Sequence, residues 1–110
     1  INTNKLFGQW NDFVVNANWT SNIKEGFFKL WVNGKLVYHF VGRTVAPKDQ
    51  ITVQFGIYRG AAQSSGDANH VVYYDEIRKA KSCKKLKLGK LGFFCQDLEN
   101  QKIEKIYRLQ

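Results

Sequence analysis

The dipeptide Asn33-Gly34 separates two strand-like runs, Phe27-Phe28-Lys29-Leu30-Trp31-Val32 and Lys35-Leu36-Val37-Tyr38-His39-Phe40-Val41. Both turn residues tolerate the positive φ of a type I′ turn, whose twist matches that of paired strands, so the spacing predicts an antiparallel hairpin. Upstream, Phe13 to Thr20 alternates so as to place Phe13, Val15, Ala17 and Trp19 on one face, expected to be buried. Ser21 to Glu25 supplies the polar turn before Gly26.

Downstream, Ile51 to Arg59 reads as a further strand. Ile51, Val53, Phe55 and Ile57 form a core face, and Thr52, Gln54, Gly56 and Tyr58 the opposite one. An amide and a phenol followed by Arg59 suit a sugar-binding or sugar-cleaving surface, although the same residues would equally decorate a solvated sheet. A polar loop, Gly60 to Asn69, leads to a last strand-like run, His70 to Arg78. From Lys84 to Phe94 the pattern suggests extended structure broken by Gly89 and Gly92. Leu98, Ile103, Ile106 and Tyr107 near a helical period predict a short C-terminal amphipathic helix. Successive antiparallel strands without intervening helices indicate an all-β sandwich or partial jelly roll.

The 110 residues fit one domain, 1–110, with enough apolar content for a core. No apolar run approaches the roughly 18 residues of a membrane span. The absence of Met and the start at Ile1 lead us to expect a processed form or a fragment. Seventeen Lys and Arg against nine Asp and Glu give a formal charge of +8, a field that attracts polyanions. Much of the excess lies in a basic C-terminal extension, residues 80–110, where single lysines can also be the wet side of a strand. Nucleic acid is not the expected partner, because charge is its one support and no zinc finger or RNA-recognition aromatic signature is present.

Cys83 and Cys95 either close a short disulfide loop, as in a secreted or periplasmic protein, or are two buried thiols; the bridge is the expectation. His39 and His70 are not at zinc-ligand spacing to them. Asp49 and Asp67 offer too few oxygens for calcium. Asp75 and Glu76, adjacent in a strand, point to opposite faces and do not make a glycosidase carboxylate pair. No metal and no cofactor is expected. Trp10, Trp19 and Trp31 are expected to be mostly core, one exposed Trp being able to stack on a pyranose.

Taken in order, Trp10-Asn11-Asp12-Phe13-Val14-Val15, Trp19-Thr20, Gly26, Leu30-Trp31-Val32-Asn33-Gly34-Lys35-Leu36-Val37, Phe55-Gly56-Ile57-Tyr58-Arg59 and Tyr73-Tyr74-Asp75-Glu76-Ile77-Arg78 resemble the C-terminal half of heparin-lyase-like and glucuronan-lyase-like polysaccharide lyases, over roughly Gly8 to Lys79. The resemblance implies a concanavalin-like, lectin-like jelly roll, of which residues 1–79 are one half of the sandwich, the other half being expected upstream. It implies an acidic, uronate-containing polysaccharide as ligand, bound and, if the chain is active, cleaved by β-elimination. A non-catalytic carbohydrate-binding or assembly module on the same scaffold is the alternative, and the sequence leaves activity open.

In the related alginate lyases a Lys precedes the strand glycine by two residues and a proton-transferring Tyr follows it by two. Tyr58 holds the Tyr position and Gln54 stands in place of the Lys. The resemblance therefore assigns Tyr58 to proton transfer; Gln54, Arg59, Arg78 and His39 are the candidate substrate-binding residues, Arg59 docking a carboxylate through its guanidinium fork, and His39 or His70 is the candidate ring for the neutralising donor or second proton carrier. Half a sandwich exposes strand edges and an apolar face, so a homo-oligomer joined through them is expected.

Overall fold

A computed structural model describes residues 3–56 and 71–108. Its centre is a four-stranded sheet in the order β1-β2-β3-β4, with β1 at Phe13–Asn18, β2 at Phe27–Val32, β3 at Lys35–Val41 and β4 at Tyr107–Arg108. The Asn33-Gly34 hairpin forms as its sequence dictates: both residues take positive φ, 51° and 83°. Asn33 also ties the turn to the strand before it, its amide N donating to Asp12 O at 2.8 Å and its Oδ1 accepting from Asp12 N at 2.9 Å. β1 pairs antiparallel with β2 from Phe13↔Val32 to Asn18↔Phe27. This β-rich architecture with few helices is consistent with a β-sandwich.

The C-terminal segment covers one end of one sheet face. Trp31, Leu36, Leu88 and Leu98 form the buried cluster, with Val14, Leu86, Phe93 and Ile103 packed against it. Two short helices, α1 at Cys83–Leu86 and α2 at Cys95–Glu99, are joined by a 3₁₀ turn at Leu88–Leu91 and by the Cys83–Cys95 disulfide, whose Cα atoms lie 6.0 Å apart. Positive φ at Lys87 and Gly92 coils residues that read as an interrupted strand.

Several expectations are corrected. The face of β1 thought to be buried is open: Phe13 is 57% exposed and Val15 47%, while Val14, on the other side, joins the core. The strand coverage this face would need is missing among the described residues. Ile51 to Gly56 and Val71 to Ile77 are exposed and carry no strand pairing; β4 pairs with the Phe40–Val41 end of β3, and Glu76, at φ 54°, breaks the second run. The expected terminal helix over 97–109 stops at Glu99. Beyond it Ile103 enters the core and Tyr107 and Arg108 pair with β3, so those apolar residues answer to two different surfaces. Of the three tryptophans Trp31 alone is buried; Trp10 and Trp19 are 68% and 46% exposed.

Candidate functional site

The sheet has two unlike faces. In register, Val15, Ala17, Phe28, Leu30, Tyr38 and Phe40 share one side, where the rings of Trp19, Phe28, Tyr38 and Tyr107 follow one another at centroid spacings of 5.9, 6.0 and 5.0 Å. The other side carries Val14 and Trp31 under the C-terminal segment and, further along, a polar row: Asn16 lies opposite Lys29, and Lys29 opposite His39. Paired residues of adjacent strands sit on the same face, their Cβ atoms about 5 Å apart. A register shift between Leu30 and Trp31 builds this row. Trp31 faces Leu36 but Leu30 faces Tyr38, which leaves Val37 as a bulge.

Asn16, Lys29 and His39 line an open groove of about 310 Å³ with Lys24, Glu25, Gly26, Phe27 and Val41. Its end is closed by two buried glycines, Gly42 N donating to Gly26 O at 2.9 Å. A Cβ on Gly26 would meet Gly42 O and C, so the chain can close tightly there only with glycine. Thr44 fixes the neighbouring turn, its Oγ1 donating to Asn18 O at 2.7 Å and accepting from Thr20 N at 2.8 Å. Asn16 also lines a second hollow of about 290 Å³, where Val14 and Trp31 meet Ser82, Leu98 and Glu99. The polar face thus continues under the wall made by the C-terminal segment.

Burial, then the Lys29 ammonium and then the Arg108 guanidinium hold His39 below the usual histidine value of 6.5. At neutral pH the ring is uncharged and able to accept a proton, while the cations beside it can receive an anion.

Among residues singled out from the sequence, His39 lies in this groove. Tyr58 and Arg59 lie outside the described residues, as does His70. Gln54 is exposed on the Ile51–Gly56 segment. Arg78 uses all three guanidinium nitrogens within the chain, Nε and Nη2 on Glu76 Oε2 and Nη1 on the carbonyls of Leu86 and Lys87 at 2.8 and 3.0 Å. Sequence reasoning passed over Asn16, Lys29 and Arg108. A lysine within Phe27–Val32, otherwise wholly apolar, was the available signal.

Among the described residues no group of three or more His, Cys, Asp or Glu side chains gathers as a metal site would require, and no helix is long and apolar enough to cross a membrane. No curated protein and no solved structure matches the chain. A family model described as polysaccharide lyase matches residues 3–78, the stretch that holds β1, β2 and β3 with Asn16, Lys29 and His39. By that match, over well more than half its length, the chain belongs to the polysaccharide lyase family.

Proposed function

We propose that the chain is a heparin-lyase-like or glucuronan-lyase-like domain, on a concanavalin-like jelly-roll scaffold, that binds an acidic, uronate-containing polysaccharide along the Asn16–Lys29–His39 face and cleaves it by β-elimination. The observation that carries this reading is His39 paired opposite Lys29 on an open sheet face within the family match. β-Elimination needs a cation on the uronate carboxylate so that the C5 proton becomes acidic, and a base to take that proton. The C5–H electron pair becomes the C4=C5 double bond, the C4–O4 bond breaks, and O4 leaves with a proton. Lys29 suits the first role and the neutral His39 ring the second; Tyr58, by resemblance, protonates O4.

The unpaired state of Ile51–Gly56, the approach to Tyr58, favours the second reading, a binding module that keeps the scaffold without turnover. Ultraviolet detection of unsaturated uronate across a panel of acidic polysaccharides separates the two. Product that disappears in Tyr58→Phe and His39→Gln supports the lyase; binding without product supports the module. Equal, salt-insensitive affinity for neutral and acidic polymers overturns the acidic-ligand reading, since exposed charges are screened beyond about 8 Å at physiological ionic strength, and favours a module that stacks on sugar rings.

The same reading places the protein outside the cytosol, in keeping with its disulfide. It also assigns the open aromatic face to contact with a second copy. A monomer in sedimentation at micromolar concentration would remove that assignment.

A further inference from the structure

We infer that Arg108, supplied by a C-terminal strand outside the family match, is an anion-docking residue that extends the Asn16–Lys29–His39 face by one strand and selects acidic over neutral sugars. The inference rests on the functional reading above and deepens it. The family match ends at residue 78, yet β4 adds to the sheet in parallel with β3, Tyr107 opposite Phe40 and Arg108 opposite Val41. Successive strand residues point to opposite faces. Tyr107 takes the aromatic side, where its ring stacks on Tyr38 at 5.0 Å, so Arg108 emerges on the side of Val41 and His39, both of which line the groove. Tyr107 therefore acts as the anchor that fixes the strand and aims Arg108.

The guanidinium is exposed and its charge is felt at His39, together with that of Lys29 on β2; Lys24 and Glu25 stand at the groove end. An exposed, forked cation two strands from a lysine on the same face suits a carboxylate or sulfate on a neighbouring sugar ring.

The test measures binding of the full chain to polygalacturonate, alginate and a neutral glucan, with Arg108→Gln, Arg108→Lys and, as a charge-matched control in the 3₁₀ turn Thr3–Leu6 outside the sheet, Lys5→Gln. Arg108→Gln should weaken acidic-polymer binding about fivefold, the scale of one charge-assisted contact at a wet surface, and leave the neutral glucan unchanged. Arg108→Lys should recover part of that loss, and the His39 titration followed by NMR should move up in Arg108→Gln alone. If Arg108→Gln loses no more than Lys5→Gln, the inference falls and the functional reading stands. If the unaltered chain binds no acidic polymer, both fall.

Discussion

The indole Nε1 of Trp31 donates to the main-chain O of Leu98 across 2.9 Å, between two residues that are each 3% exposed. This bond joins the family-matched sheet to the segment that follows it. Gln101 makes a second attachment nearby: its Oε1 accepts from Leu36 N at 2.7 Å and its Nε2 donates to Gly34 O at 2.7 Å, so one side chain stands in for a neighbouring strand at the edge of β3. The placement of β4 and Arg108 beside the groove depends on these attachments, because both follow them in the chain.

Trp31→Phe keeps most of the apolar volume but removes the shorter of two hydrogen bonds to Leu98 O, leaving the 3.4 Å bond from Gln101 N. The expected cost is about 1 kcal/mol in urea denaturation. Limited proteolysis should then cut the C-terminal segment sooner than in the unaltered protein.

Gln101→Ala removes both edge bonds at a half-buried site, and a loss of about 1–2 kcal/mol is expected. Gln101→Glu keeps the acceptor for Leu36 N and loses the donor to Gly34 O, so it should fall between the two in the same denaturation experiment.

Reduction of Cys83–Cys95 reopens a short loop, with the residues 12 apart in sequence. A loss of about 2–4 kcal/mol is expected, read as a lower midpoint in denaturant with dithiothreitol present. The hairpin of β2 and β3, whose strand pairing does not involve the bridge, should keep its far-UV circular dichroism until the global transition.

His39 titrates below 6.5 in the folded chain, so between the folded and unfolded values the unfolded chain binds more protons. Its contribution to stability is complete above about 6.5 and is lost as pH falls through the folded value. His39→Gln should flatten the stability profile in that window. An anionic polymer favours the charged ring, so its affinity should rise as pH falls from 7 to 5 in the unaltered chain and stay level in the variant.

Gly26→Ala drives a methyl group into the carbonyl of Gly42, against backbone that has no rotamer to yield. Thermal unfolding should show a loss of about 1–3 kcal/mol, with acidic-polymer binding weakened at temperatures where the variant remains folded.

Local chemistry in the sequence was enough to determine the β2–β3 hairpin, since Asn33-Gly34 fixes a turn whatever surrounds it. It also determined the alternation of β1 and the order of motifs that marks the family. It did not determine which face would be covered. Alternation assigns residues to sides, and burial depends on what packs there; the C-terminal segment packed on Val14 and Trp31, leaving Phe13 and Val15 open. The site was hidden for a related reason. An unbroken ladder counted back from the turn would set Lys29 opposite Tyr38, and the bulge at Val37 moves His39 there instead. Arg108 reaches the same face because a strand paired in parallel across more than sixty residues of chain, a contact that no local pattern encodes and that tertiary packing alone decided.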